Sequence, residues 1–140
     1  MTKITKVKTG GKLEELSSYS RIVMVDNWIY VSNTAGRNPE TQEIPEELEA
    51  QTHQVFDNIE KALSAVGASL QDVVATRVFI QTPSDTPKVM GIFGEKFRGV
   101  DPTTTVTCPP LGSGVYKVEI EVTAYRGASQ ADITYIDTSK

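Results

Sequence analysis

Residues 117–125 constrain the fold of this chain more than any other segment. Polar and β-branched residues alternate there, in the order Lys-Val-Glu-Ile-Glu-Val-Thr-Ala-Tyr. Alternation with a period of two predicts a strand that places Glu119, Glu121 and Thr123 on one sheet face and the apolar residues on the other. Because carboxylates rarely lie unpaired inside a small domain, this polar face is either solvated surface or the wall of a polar site.

Length and composition indicate one soluble globular domain spanning residues 1–140. The chain has 140 residues, of which 39% are hydrophobic and 23% are charged, enough for a single core. Its formal net charge of −4 argues against a nucleic-acid partner, which would require clustered Lys and Arg. The sequence contains no apolar segment long enough for a signal peptide or a membrane span, so we expect a cytoplasmic protein without a membrane partner.

The chain has few residues that bind metals or form disulfides. A single cysteine, Cys108, excludes an intrachain disulfide, and a single histidine, His53, makes a zinc site implausible. We therefore expect no metal and no other cofactor. Cys108 is predicted to be a small buried apolar residue, and His53 to form an ion pair with Glu49 or Asp57 on a helix surface.

Local patterns predict two helices and six strands. Apolar residues recur every three or four positions before Gly67, and Thr86-Pro87 has the composition of a helix start. Asp26-Asn27 marks a hairpin turn between two β-branched runs. The predicted strands cover residues 4–8, 21–25, 28–32, 73–80, 103–108 and 117–125, and the predicted helices cover residues 45–66 and 86–98.

Both predicted helices lie between strands in the sequence, and this order indicates an α+β architecture. The two helices then pack on one face of a mixed β-sheet and leave the other face uncovered. Oligomerisation would bury the open face if it is apolar, and a site would form between subunits if it carries Glu119. The C-terminal extension, residues 126–140, is predicted to add an edge strand or to reach onto a neighbouring subunit.

Several short motifs, in this order and spacing, carry a resemblance to a known family. They are Ser18-Tyr19-Ser20, Tyr30-Val31-Ser32, Asn38-Pro39-Glu40-Thr41, Gln51-Thr52-His53-Gln54-Val55-Phe56-Asp57-Asn58-Ile59, Asp72-Val73-Val74, Val78-Phe79-Ile80, Asp101-Pro102 and Val118-Glu119-Ile120-Glu121-Val122. With them, residues 19–126 resemble the reactive-intermediate deaminase (Rid, or YjgF) family. The resemblance implies a chorismate-mutase-like α+β fold and a homotrimer with clefts at its three subunit interfaces.

The resemblance also implies an activity, the hydrolysis of enamines or imines to a carbonyl compound and ammonia. Such chemistry requires a carboxylate that orients water and polar groups around the reacting carbon. Glu119 corresponds to the family's catalytic carboxylate, and Tyr19 and Ser32 correspond to residues of the substrate cleft. For Tyr19 and Ser32 a purely structural role, packing of the ring or ending of a strand, remains an alternative.

Three positions depart from the family pattern, and one of them is Val106, where the family has a cysteine two residues after its motif arginine. The arginine of its Pro-Ala-Arg motif, which binds the substrate carboxylate, corresponds to Thr104, and Asn33 replaces the glycine that follows the serine. A charged hydrogen bond contributes about 1.5–3 kcal/mol and a neutral one about 0.5–1.5 kcal/mol. We therefore expect simple 2-imino acids to bind at least about tenfold more weakly than they do with the arginine.

A displaced cation is one way to replace the missing arginine. Arg77 on the predicted central strand and Arg37 in the loop after Ser32 are the candidates for binding the substrate. For Arg77 the structural alternative is a cross-strand ion pair with Glu119 or Glu121.

Three functions follow from these residues. The leading hypothesis is an imine or enamine deaminase, a hydrolase acting on C–N bonds. The first alternative is a non-catalytic trimer that binds a small molecule in its interfacial clefts. An endoribonuclease or translation inhibitor is the third, and an acidic chain with one histidine gives it little support.

Overall fold

A computed structural model describes residues 1–139 of the chain. Within that range it contains six strands and three α-helices. In chain order they are β1 (Ile4–Val7), α1 (Lys12–Ser17), β2 (Ile22–Val25), β3 (Trp28–Ala35), α2 (Leu48–Ser64), β4 (Val73–Ile80), α3 (Thr86–Lys96), β5 (Thr103–Thr107) and β6 (Val118–Tyr125). None of the helices in this range is long and apolar enough to cross a membrane.

The six strands form one mixed sheet in the order β1-β2-β3-β6-β4-β5. Every neighbouring pair is antiparallel except β4 and β5, which are parallel and are joined through α3. The last strand, β6, therefore lies in the middle of the sheet, between β3 and β4. The result is the single mixed α+β domain that the order of elements predicted.

The core lies between this sheet and the two long helices. The apolar residues of β6, Val118, Ile120, Val122 and Ala124, are all buried, as the alternation predicted. Phe56 of α2, Phe93 of α3 and Phe97, which follows α3, pack edge to face or tilted, with ring centroids 4.7–6.4 Å apart. Because both long helices lie on this side, the opposite sheet face is left open.

The short helix α1 was not predicted, because six residues are too few to show a helical period. It is fixed by the buried carboxylate of Glu14, which accepts hydrogen bonds from the backbone N–H of Thr9 at 3.1 Å and from the Thr9 hydroxyl. The same carboxylate lies 3.7 Å from the Arg21 guanidinium. A buried, paired charge thus ties α1 to the start of β2.

Two side-chain predictions were wrong. Cys108 is exposed rather than buried, because it follows β5, which lies at the edge of the sheet. His53 is exposed, and within residues 1–139 it forms no ion pair. Glu49, its predicted partner, instead lies 3.6 Å from Lys88 of α3.

The C-terminal extension does not add an edge strand, so that alternative was wrong. After a short 3₁₀ turn at Ala128–Gln130, the chain up to residue 139 has no regular secondary structure. The hydroxyl of Tyr135 donates a hydrogen bond to Asp101 Oδ2 at 3.1 Å. This contact holds the extension beside the residue pair that precedes β5. Lys140 lies outside the described residues.

Asp72 connects this extension to the start of β4. Its carboxylate accepts hydrogen bonds from the backbone N–H of Ser69 at 3.1 Å and of Ser129 at 2.9 Å. Burial alone would raise the pKa of Asp72, but the donors from Ser129 and Ser69 outweigh it and lower the pKa below its ordinary value.

We expect Asp72→Ala to lower the free energy of unfolding by about 1–3 kcal/mol, because two backbone N–H groups lose their acceptor. Since the folded-state pKa is lowered, this stabilisation is present above the ordinary pKa of 3.8 and is lost as the pH falls through the lower folded value. Urea unfolding of both proteins at pH 7 and in acid measures the effect. The matched control is Gln71→Ala at the exposed neighbour, and an equal loss of stability there would contradict the prediction.

Candidate functional site

The open face of the sheet carries rows of side chains that cross β3, β6 and β4. Glu119 of β6 lies between Ala35 and Phe79, and Thr123 lies between Tyr30 and Ala75. Between these rows, Glu121 is paired in register with Arg77. The polar face predicted from the alternation of β6 is therefore the face that the helices leave uncovered.

Glu119 is half-buried, and its only side-chain hydrogen bond within residues 1–139 comes from Asn33. The Asn33 Nδ2 group donates to Glu119 Oε1 at 2.7 Å. Desolvation raises the pKa of Glu119 above its ordinary value, and the hydrogen bond from Asn33 offsets part of that rise. A carboxylate with a raised pKa accepts a proton from water more readily than a fully solvated one does.

A β-bulge places Asn33 beside Glu119. The register between β3 and β6 shifts between Val31 and Thr34, so Ser32 and Asn33 lie within the irregular part of β3. A bulge changes the direction of its side chains, and here it turns the Asn33 amide towards the adjacent strand. The Ser32 hydroxyl is used locally, because it donates to the Ser20 carbonyl at 2.8 Å.

Arg21, the residue just before β2, stabilises the bulge, and sequence reasoning missed it. Its Nη1 group donates to the carbonyl oxygens of Ser32 at 3.3 Å and of Asn33 at 3.1 Å. The guanidinium lies 5.8 Å from the centre of the Tyr19 ring, so half-buried Tyr19 packs against Arg21. No local pattern marks this role, because the carbonyls that Arg21 binds are created by the bulge.

The two arginines that the sequence offers for substrate binding differ in the contacts they already make within the chain. Arg37 donates to the Gln42 carbonyl at 2.9 Å and to the Tyr116 hydroxyl at 3.3 Å. Arg77 is exposed on the open face, and within residues 1–139 it forms no ion pair with Glu119 or Glu121. Arg77 therefore retains more of its hydrogen-bonding capacity for a ligand.

Thr104 does not lie on the same sheet face as Glu119 within one chain. It pairs in register with Thr76, whose side chain is buried on the helix side of the sheet. Paired residues of neighbouring strands point to the same face, so the exposed Thr104 side chain lies on the helix side of edge strand β5. A single chain brings Glu119, Asn33 and Ser32 together with the Tyr19–Arg21 pair, but not with Thr104.

The part of the chain that the structure describes shows no three His, Cys, Asp or Glu side chains close enough together to hold a metal ion. The polar groups near Glu119 are amide, hydroxyl and guanidinium groups. Such groups are able to form hydrogen bonds with a small polar molecule or with water, and they are not the ligand set that a transition metal prefers.

The fold and this face define a small α+β domain whose open sheet carries one partly desolvated carboxylate. A family model described as Endoribonuclease L-PSP matches residues 9–126. A RutC family protein from Leuconostoc mesenteroides subsp. cremoris is 33% identical over 129 residues, covering 86% of this chain and 96% of the relative. A 2-iminobutanoate/2-iminopropanoate deaminase from Dermatophagoides farinae is 31% identical over 110 residues, covering 77% and 85%.

A solved structure agrees with these sequence matches. A member of the YjgF/YER057c/UK114 family from Mycobacterium tuberculosis superimposes with a TM-score of 0.80 at 31% identity, covering 88% of this chain and 99% of that one. The chain belongs to the Rid (YjgF) family, as the resemblance of its motifs predicted.

Proposed function

We propose that this protein hydrolyses reactive enamines or imines to a carbonyl compound and ammonia. The observation that carries the proposal is the Asn33–Glu119 hydrogen bond of 2.7 Å, made to a half-buried carboxylate on an open polar face. The 2-iminobutanoate/2-iminopropanoate deaminases among the relatives support this reaction class. We place the reaction in the cytoplasm, without a metal or another cofactor.

In this reaction Glu119 acts on water. The carboxylate accepts a proton as the water oxygen bonds to the imine carbon, and the electron pair of the C=N bond moves to nitrogen. Glu119 then returns the proton to that nitrogen, which gives a carbinolamine. As the C=O bond forms, Glu119 takes the proton of the new hydroxyl and passes it to the nitrogen, so the C–N bond breaks and ammonia leaves. Asn33 holds the carboxylate through one oxygen and leaves the other oxygen, Oε2, for the water. An enamine enters the same sequence after tautomerising to the imine.

The site is proposed to be complete only in a homotrimer. The open face exposes several large apolar side chains, including Trp28 at 45% and Tyr30 at 50%, and a soluble monomer rarely leaves such a face uncovered. A neighbouring subunit that covers it would bring new groups to Glu119. Edge strand β5 and Thr104 are the candidates, since Thr104 and Glu119 lie on opposite faces within one chain.

Arg77 is proposed to bind the acidic group of the substrate in place of the missing arginine. It lies on β4 next to the row of Glu119, and diagonal neighbours in a sheet are roughly 7–8 Å apart between Cα atoms. This separation suits a substrate that spans a few bonds between its anion and its imine carbon. Glu121 pairs in register with Arg77 but forms no ion pair with it within residues 1–139, so the guanidinium remains available to a ligand.

We expect Arg77→Gln to raise KM for an anionic substrate about tenfold or more with little change in kcat, because a charged contact made equally in the ground state and transition state is lost. Steady-state kinetics of the purified trimer measures this. Arg37→Gln is the matched control, since Arg37 is engaged by Gln42 and Tyr116. If the larger rise in KM occurs in Arg37→Gln, Arg37 is the anchor and Arg77 is not.

The reaction is tested with imines generated in situ by an amino-acid oxidase, over a panel of amino acids. Faster release of 2-oxo acid than in buffer alone supports the proposal. An inert protein across acidic, aromatic and aliphatic imines would contradict it.

The threonine at position 104 favours one alternative, a trimer that binds a small molecule without turnover. Without the motif arginine, the cleft loses the cation that holds a 2-imino acid during the reaction. In this case titration calorimetry with 2-oxo acids gives a dissociation constant, and the ligand is recovered unchanged. The family model's description as an endoribonuclease raises a further alternative, and RNA binding that weakens with salt would support it.

A further inference from the structure

The N-terminal half of α2 carries a fully buried amide, Gln51, that is bonded through all of its polar atoms. Its Oε1 accepts from the backbone N–H of Lys117 at 2.6 Å and of Val118 at 3.4 Å. Its Nε2 donates to the carbonyls of Pro45 at 2.9 Å and of Val115 at 3.0 Å. One side chain therefore forms hydrogen bonds with four backbone groups from two separate segments of the chain.

These bonds are made at the point where β6 begins. Glu119 follows Val118 directly, so the two residues that precede Glu119, Lys117 and Val118, are fixed to α2 by the Gln51 amide. Irregular backbone must satisfy its N–H and C=O groups with side chains when it is buried, and a glutamine provides one acceptor and two donors at once. An apolar side chain of the same size would fill the space and leave these groups unpaired.

The opposite side of the Asn33–Glu119 pair is held by the same helix. Asn58 Nδ2 donates to the carbonyls of Ala35 at 3.0 Å and of Arg37 at 2.9 Å, just after the β3 bulge. Gln54 donates to Asn58 Oδ1 at 2.9 Å and orients it. Ala35 is the residue that pairs in register with Glu119. The end of β3 and the start of β6 thus have a common support on α2.

We propose that Gln51, together with Asn58, is a positioning residue that sets the distance between the Asn33 amide and the Glu119 carboxylate. The inference rests on the proposed function only for its kinetic consequence. Neither residue touches the reacting atoms, and both act through backbone groups next to the pair. The structure gives α2 this role because a bulge interrupts the β3–β6 pairing beside the Asn33–Glu119 pair, and the bonds from Gln51 and Asn58 fix the two strand ends to one helix.

Two other residues separate this role from ordinary packing. Thr52, next to Gln51, is equally buried, but its hydroxyl donates only to the Leu48 carbonyl of its own helix at 2.7 Å. Gln81 holds the loop between β5 and β6. Its side chain accepts from the Leu111 N–H at 2.7 Å and donates to the Ser113 carbonyl at 3.3 Å. Thr52→Val is therefore the matched control for a buried change in α2, and Gln81→Leu is the control for loosening of the loop.

The test is Gln51→Met, measured by NMR and by kinetics in the intact protein. In the wild type, the Asn33 side-chain amide signals should follow the titration of the ¹³C-labelled Glu119 carboxyl, since the two groups are hydrogen-bonded. In Gln51→Met we expect this coupling to be lost and the pKa of Glu119 to move back towards its ordinary value as the carboxyl becomes more hydrated. We expect kcat to fall at least about tenfold with KM within about twofold.

The outcomes are separable from those of the proposed function. If the wild type has no imine hydrolase activity, the proposed function fails, and the NMR titration still decides the role of Gln51. Unchanged Asn33 signals and an unchanged Glu119 titration in Gln51→Met would overturn the inference, as would equal changes in Thr52→Val or Gln81→Leu. If Gln51→Met does not fold, Asn58→Leu decides in the same way, since it removes donors that hold the end of β3.

Discussion

Glu119→Gln is expected to lower kcat for imine hydrolysis by about 10²–10⁴-fold, the usual contribution of a general base. The amide of glutamine retains the shape of the side chain and still accepts the hydrogen bond from Asn33. It does not accept a proton from water, so the variant should bind a substrate without hydrolysing it. The measurement is kcat and KM for release of the carbonyl product, with binding of an unreacted 2-oxo acid as the check on folding.

The pH dependence of the wild type follows from the same residue. Since the pKa of Glu119 is raised by desolvation, the rate should fall as the pH is lowered through that raised value. The effect of this shift on stability has the opposite pH dependence to that of a carboxylate whose pKa is lowered by folding. Because its folded-state pKa lies above the unfolded value of 4.5, the contribution of Glu119 to stability is fully present below that value and is lost as the pH rises through the folded pKa.

The raised pKa of Glu119 therefore also predicts how its replacement changes the stability of the protein. Glu119→Gln removes the ionisation, so the variant should be at least as stable as the wild type at neutral pH while it loses activity. Urea unfolding at pH 5 and pH 8 compares the two proteins. Glu121→Gln, two residues along the same strand and face, is the matched control and should keep most of kcat. A comparable fall of kcat in both variants would indicate a general effect of charge on the sheet face.

Of all the glycine-to-alanine substitutions in this chain, Gly36→Ala is expected to destabilise the fold most. A Cβ at Gly36 would lie 2.6 Å from the Gln51 carbonyl oxygen and 2.8 Å from Gln51 Cγ. The first of these is a backbone atom in α2 and cannot rotate away. Because overpacking of this kind costs about 1–3 kcal/mol, the melting temperature should fall by roughly 3–10 °C for a chain of this size.

The matched control is an alanine in a helix that has space for it. Nothing lies within 4 Å of a Cβ at Gly94 in α3, and its backbone is helical. Gly94→Ala should therefore stabilise the protein by up to about 1 kcal/mol. Thermal unfolding of both variants gives the comparison. If Gly36→Ala is as stable as the wild type, β3 and α2 are less closely packed than the structure indicates.

The sequence predicted the strands and long helices well because their signals are local. Side chains alternate every two residues in β6 and recur every three or four in α2, and both periods follow from backbone geometry alone. The observed ends of these elements differ from the predicted ends where the periodic pattern stops. The first long helix begins at Leu48, after Pro45, and β3 continues past its bulge to Ala35, three residues beyond the predicted end.

The sequence by itself determined that Glu119 faces away from the core, because the phase of β6 fixes that face whichever strands lie beside it. Only the tertiary structure decided which residues lie next to Glu119. Asn33 is 86 positions away in the chain and reaches the carboxylate through a bulge, and Gln51 supports the start of β6 from 66 positions away. Such contacts depend on strand order and register, which non-local pairing sets and which no local period encodes.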